Sequence, residues 1–138
     1  MKISSFPKNE VERIAALQLF QILDTEAERD FDDITTLAAQ ICETPFSLIT
    51  LIDKNRQWFK AKHGIALAET HRDISFCAHA IHEPDIMVIT DTSKDERFFD
   101  NPFVAGDPEI RFYAGMPLIT ESGFALGTLC VLDQKPRE

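Results

Sequence analysis

With 138 residues, 44% of them hydrophobic and 27% charged, the chain is sized for one domain that buries a core of its own. Its 23 acidic against 14 basic residues leave a net charge of −9, which repels phosphate backbones and anionic lipid and argues against nucleic acid or membrane as a partner. No apolar run approaches the ~20 residues of a membrane helix. The amino terminus lacks a signal-peptide pattern, and Cys42, Cys77 and Cys130 read as reduced thiols rather than a disulfide framework, so the segment is expected to be cytoplasmic.

In chain order, Pro7 and a capping Asn9 open a helix running to about Leu23. Val11, Ala15, Leu19 and Leu23 form one apolar stripe, which Ile14, Leu17 and Phe20 widen, so this helix is expected to bury two sides, one against its own domain and one against a partner copy or the same core. Asp24-Thr25 breaks the pattern. A second helix spans about Ala27 to Cys42, with Phe31, Ile34, Leu37, Ala38 and Ile41 at three- and four-residue spacing and Asp30, Asp32, Asp33 and Gln40 left for solvent. Pro45 ends it. Phe46–Asp53 is a strand, Lys54-Asn55 a tight turn, and Arg56–His63 the return strand, on which Trp58 and Phe59 face opposite sides.

Ile65–Ile74 is polar and irregular, Ser75–His82 a short helix with Ser75 as cap, and Ile86–Thr90 a β-branched strand. Asp91–Glu109 is rich in Asp, Asn, Pro and Gly and reads as a long loop with one helical turn near Phe98, a length that is usually functional or mobile. Arg111–Asp133 is a hairpin turning at Glu121-Ser122-Gly123. Both of its strands are apolar on both faces, which places them inside a sheet covered on both sides. The chain then stops just past a strand at Gln134–Glu138, and the expectation is one domain over residues 1–138 that is a piece of a longer protein.

Strands joined by short turns predict an α+β fold with an antiparallel sheet, the amino-terminal helices on one face and loops on the other. Several strings in this order resemble a GAF domain: Leu23-Asp24-Thr25, Phe31-Asp32, Asp53 with Gln57-Trp58-Phe59-Lys60, Ser75-Phe76-Cys77-Ala78-His79-Ala80-Ile81, Asp91 with Asp95, Arg97 and Phe98, Phe112-Tyr113-Ala114-Gly115, and Gly127-Thr128-Leu129-Cys130-Val131. The resemblance covers nearly the whole chain and is strongest to GAF domains preceding histidine-kinase, diguanylate-cyclase or PAS modules in bacterial sensors. It implies a sheet of five or six strands with a pocket under the Ser75–His82 helix and the Asp91–Glu109 loop. It also implies a regulatory role in a homodimer whose terminal helices act on a C-terminal output domain. It names neither ligand nor cofactor.

The specialised branches of the family fit less well. Pigment-binding members carry a cysteine followed directly by histidine and a nearby Asp-Ile-Pro string; here Asp73-Ile74-Ser75-Phe76-Cys77-Ala78-His79 displaces the histidine and replaces the proline. The cyclic-nucleotide signature has no ordered match, since Lys54-Asn55 is reversed and Asp95-Glu96 lacks its phenylalanine. A methionine sulfoxide reductase branch needs a reactive thiolate and a resolving partner. Cys77 and Cys130 would approach each other if the short helix lay over the central strand, but the apolar Leu129 and Val131 beside Cys130 favour inert thiols. His79 and His82 share a helix face without a CxxC or HxxxH to support a metal, and none is expected. Asp91, Asp95 and Arg97 suit either a polar ligand or turn chemistry, with the second favoured.

The reading is therefore a non-catalytic sensor domain with a possible small-molecule ligand. Its expected pocket comprises Phe76, Cys77, Ile81, Asp91, Phe98, Phe112, Ala114 and Cys130, with Asp91 orienting polar groups. A thiol-dependent sulfoxide reductase and a ligand-free dimerisation module are the alternatives.

Overall fold

The computed structural model describes Met1–Arg137. Two helices, α1 (Glu10–Leu19) and α2 (Arg29–Cys42), precede the hairpin of β1 (Phe46–Ile52) and β2 (Arg56–His63). Then come β3 (Glu69–His71), a 3₁₀ turn at Arg72–Ile74, α3 (Cys77–Ala80) and β4 (Met87–Ile89). A second 3₁₀ turn at Thr92–Lys94, α4 (Pro102–Ala105), β5 (Phe112–Ile119) and β6 (Ala125–Asp133) complete the fold. The strands form one six-stranded sheet in the order β3-β2-β1-β6-β5-β4, antiparallel at every pairing. The doubly apolar hairpin thus supplies the interior strands β5 and β6, and β3 is a short edge strand formed within the stretch expected to be irregular.

α1 and α2 lie over β2, β1 and β6. Under them Leu17, Leu51, Trp58 and Leu126 form a small core. The larger core lies on the other face, where Leu48, Ile52, Phe59, Tyr113, Cys130 and Leu132 meet Phe76, Ile81, Phe98, Val104 and Ile110 from the connecting segments. Trp58 and Phe59 do point to opposite faces, one into each core.

The helices fully bury little of what periodicity selected, Leu17 alone on α1 and none of the five on α2. α1 buries Arg13 and Leu17, and α2 buries Thr35 and Ala39. The predicted stripes point outward: Val11 is 80% exposed, Leu19 84% and Ile41 72%. Small residues let a helix axis approach a sheet closely, and Arg13 is accommodated because its guanidinium donates to Glu10 and to the Ala125 carbonyl. α1 also ends at Leu19 rather than Leu23, with Gln21 and Asp24 at positive φ. Asp24 is held there by two 2.7 Å hydrogen bonds from the Arg56 guanidinium. α2 stops on Glu43 in the left-handed conformation, its N–H donating to Ala39 and Gln40, one residue earlier than Pro45 requires.

A second correction concerns β5. Its helix-side face was expected to be covered, yet Met116 is exposed and Ala114 and Leu118 are half-buried, because the two helices reach only as far as β6. Among the described residues, no helix is long and apolar enough to cross a membrane.

Candidate functional site

A cavity of about 70 Å³ lies between the sheet and the segments that roof it. Its floor is Leu48 on β1, Gln57 and Phe59 on β2, Tyr113 on β5, and Cys130 and Leu132 on β6. Ile74, Phe76, Cys77, Phe103, Pro108 and Ile110 roof it, and Ile65, Leu67 and Thr70 form the rim, with Leu67 half exposed. No lining residue carries a charge, so the site offers nothing to balance a phosphate or carboxylate. Its amide is already engaged: Gln57 accepts from the Ser75 hydroxyl at 2.8 Å and donates to Thr70 at 3.1 Å.

Cys77 stands at the innermost wall. Its sulfur accepts from the Thr128 hydroxyl at 3.0 Å, lies 3.1 Å from the Tyr113 oxygen and 4.0 Å from the Cys130 sulfur. Thr128 in turn touches Thr50 across the β1–β6 pairing, hydroxyl to hydroxyl at 3.1 Å. Burial pushes the Cys77 thiol up, but the surrounding hydrogen bonds outweigh it and hold the group at about 7. Burial, with Cys77 beside it, pushes Cys130 well above the ordinary thiol value, and burial does the same to Tyr113. All three cysteines are free, and Cys42 is exposed on α2.

The expected pocket residues divide sharply. Phe76, Cys77 and Cys130 line the cavity. Ile81 and Phe98 are buried in the same core without reaching it; Phe98 packs edge-on against Phe76 at 4.8 Å and against His79 at 4.8 Å. Asp91 lies outside, capping the Thr92–Lys94 turn by accepting from the Ser93 N–H at 3.1 Å and hydroxyl at 2.6 Å. Asp95 and Arg97 likewise form a paired turn, with bonds of 3.0 and 2.9 Å.

Phe112 and Ala114 belong to the opposite face of β5: Phe112 sits near the Arg137 guanidinium, and Ala114 pairs with the exposed Val88. The side chains alternate, and it is Tyr113 that enters the core. A sequence signal for this existed in Gly115, two positions on and on the same face, where an added Cβ would lie 2.1 Å from the Tyr113 oxygen. The glycine makes room for the ring.

His79 and His82 donate from their ring Nε2 to the Lys2 and Ser5 carbonyls, at 3.2 and 2.8 Å, and so pin the amino-terminal segment against α3. Among the described residues no group of three His, Cys, Asp or Glu side chains is placed to hold a metal.

One link between the roof and the first helix was invisible in the sequence. Arg72, which starts the turn leading to the roof, donates to Glu10 on α1 at 2.6 and 3.2 Å and to the Asp53 carbonyl at 3.1 Å. Arg13 donates to the same carboxylate at 2.9 and 3.3 Å. Burial opposes the charge on Glu10, but the two guanidiniums outweigh it and hold the carboxyl below its ordinary value. The roof of the cavity and the first helix are thus one ionic assembly, buried to 4% exposure at Arg72 and 1% at Arg13.

Comparison with known proteins agrees with this geometry. A family described as GAF domain matches residues 26–138. A cyclic di-GMP phosphodiesterase of Pseudomonas aeruginosa is 42% identical over 137 residues, covering 99% of this chain and 23% of that protein. The chain therefore spans less than a quarter of the length of this curated relative. Among solved structures, the GAF domain of an Acinetobacter phosphoenolpyruvate-protein phosphotransferase superposes with a TM-score of 0.61 at 16% identity, covering 96% of this chain and 82% of that one. The free methionine-R-sulfoxide reductase of Neisseria meningitidis, in complex with its substrate, superposes with a TM-score of 0.63 at 13% identity, covering 99% and 81%. Likeness at that identity speaks to the fold alone.

Proposed function

Because the chain belongs to the GAF domain family, we propose that it is the non-catalytic regulatory module of a longer cytoplasmic protein of cyclic di-GMP signalling. In this reading residues 1–138 form one domain whose cavity takes a small neutral molecule and whose amino-terminal helices relay its presence within a homodimer. The observation that carries the reading is the Arg72–Glu10 pair, which joins the roof of the cavity to a helix with an open apolar outer face. A ligand that binds one roof position more tightly than another shifts the helix with it, by its differential affinity for the two packings.

The output is assigned by likeness. A relative sharing 42% identity over this segment is named a cyclic di-GMP phosphodiesterase, and the segment is 23% of it, which favours a phosphodiesterase-bearing partner domain over a histidine kinase. Phe76, Cys77 and Cys130, joined by Tyr113, are the proposed ligand contacts, supplying shape and weak polar orientation.

The outer faces of the helices support the homodimer of this reading. Ile34, Leu37 and Ile41 recur at three and four residues on α2 and are 44%, 55% and 72% exposed, the spacing of a helix-packing seam, and Val11 and Leu19 add exposed apolar side chains on α1. Exposed apolar side chains in such a row suit packing against a second copy. Replacing Leu37 and Ile41 together by Glu is expected to convert a dimer to a monomer in sedimentation, while the protomer keeps a cooperative urea transition whose midpoint falls only by the lost association. A dimer that persists would place the interface elsewhere.

A native mass spectrum of freshly purified protein tests the whole reading. The expected result is a dimer carrying an added mass that leaves on denaturation. A dimer with no added mass, and no shift in melting temperature with small neutral molecules, would favour the ligand-free dimerisation module. A bare monomer would remove both.

A further inference from the structure

We propose that Cys77 and Cys130 are a dithiol oxidation site, at which a small hydroperoxide entering the cavity is reduced and an intramolecular disulfide closes the roof segment onto the central strand. Both thiols line the cavity, both are at most 2% exposed, and their sulfurs are 4.0 Å apart, about van der Waals contact and some 2 Å from bonding distance. They belong to different layers, Cys77 to α3 in the roof and Cys130 to β6 in the floor. A bond between them therefore joins residues 53 apart in sequence and locks the segment whose neighbouring turn holds α1 through Arg72.

The surroundings suit the chemistry. Thr128 donates to the Cys77 sulfur and the Tyr113 hydroxyl lies within 3.1 Å of it, an arrangement that favours its thiolate over that of Cys130, which burial disfavours. The cavity wall carries no charge and its volume is about 70 Å³, roughly half that of a protein cavity known to hold benzene. A neutral molecule the size of hydrogen peroxide fits, whereas a bulky or charged one does not.

The steps balance. The Cys77 sulfur attacks one peroxide oxygen, the S–O bond forms as the O–O bond breaks, and the leaving hydroxide takes the proton given up by the Cys77 thiol and departs as water. The Cys130 sulfur then attacks the Cys77 sulfur, the S–S bond forms as the S–O bond breaks, and the second hydroxide leaves as water with the Cys130 proton. Two thiols lose two electrons in total and one peroxide becomes two waters.

The proposal uses the cavity of the preceding reading but not a retained ligand, so an added mass in the native spectrum and a cross-link after oxidation fail independently. The test treats folded Cys42→Ser protein with hydrogen peroxide, then alkylates and maps peptides without reduction. The expected result is loss of two hydrogens from the intact mass, a Cys77–Cys130 cross-linked peptide, and its reversal by dithiothreitol. In Cys42→Ser/Cys130→Ser protein, oxidised while folded, freed of peroxide and only then unfolded in urea containing dimedone, Cys77 is expected to carry the dimedone adduct. Relative to their rates with free cysteine, hydrogen peroxide is expected to outpace cumene hydroperoxide by about ten-fold or more, because the wall excludes the larger molecule. Two free thiols after treatment, a cross-link that forms only in urea, or no dimedone adduct on Cys77 would overturn the assignment. Should the Cys130→Ser protein fail to fold, the peptide map of the Cys42→Ser protein decides alone.

Discussion

Glu10→Gln is expected to destabilise the domain by roughly 3 kcal/mol or more, the cost of leaving a buried ionic group without its partner. The carboxylate accepts from Arg13 and Arg72 at once, and the two guanidiniums are 1% and 4% exposed. Removing its charge leaves two like charges facing each other away from water. Arg72→Met removes one of them and is expected to recover part of the loss when combined with Glu10→Gln. The midpoint and slope of urea unfolding measure this, and a single-variant cost below about 1 kcal/mol would mean water reaches the cluster.

The same residue sets an acid limb. The folded carboxyl lies below its ordinary value of 4.5, so the unfolded chain binds the proton first as pH falls. The contribution of Glu10 is fully present above pH 4.5 and is lost as pH falls through the depressed folded value. Wild-type stability is expected to drop across that window, and the Glu10→Gln protein to drop less steeply.

Gly127→Ala is the second large effect. A Cβ at this position of β6 would lie 1.8 Å from the Thr50 carbonyl oxygen and 2.8 Å from the Leu51 Cα, both backbone atoms of the neighbouring strand. Relief requires β1 and β6 to part where they pair at the centre of the sheet. The expected cost is roughly 3 kcal/mol at least, the upper end for overpacking, because no side chain can rotate away. Gly123→Ala in the β5–β6 turn is the control. Nothing lies within 4 Å of the added Cβ and only its φ of +91° resists, so the expected loss is about 1 kcal/mol. Comparable midpoints for the two variants would mean the sheet yields where the geometry says it cannot.

Much of the fold was legible because it is local. The interior hairpin announced itself through strands apolar on both faces, the β1–β2 hairpin through Lys54-Asn55, and the pairing of Asp95 with Arg97 through their spacing, whereas Asp91, expected to orient polar groups in the pocket, caps a turn outside it. β3 was missed because its pairing partner, not its composition, makes it a strand: Glu69–His71 is polar and extends only against Arg56–Trp58. The candidate site was half legible. Phe76, Cys77 and Cys130 sit on elements whose cavity-facing side follows from position, while Phe112 and Ala114 were assigned to the wrong face of β5 by an alternation whose phase is set across the sheet.

By itself, then, the sequence determined all but the short edge strand of the sheet, the order of its strands along the chain, the antiparallel α+β class and the family. Hydrophobic period, turn chemistry and strand length act within a few residues, and a chain carries them wherever it goes. Only the tertiary structure decided which face each element turns inward. Val11, Leu19, Leu37 and Ile41 are as apolar as any core residue, yet they face out, because what a helix buries depends on how closely the opposing sheet lets it approach. The same reason hid Arg72 against Glu10, 62 residues away, and left the approach of Cys77 to Cys130, 53 away, to depend on where the short helix lies: the free energy of a buried charge or thiol belongs to its partners, and those are chosen by the packing of layers distant in the chain.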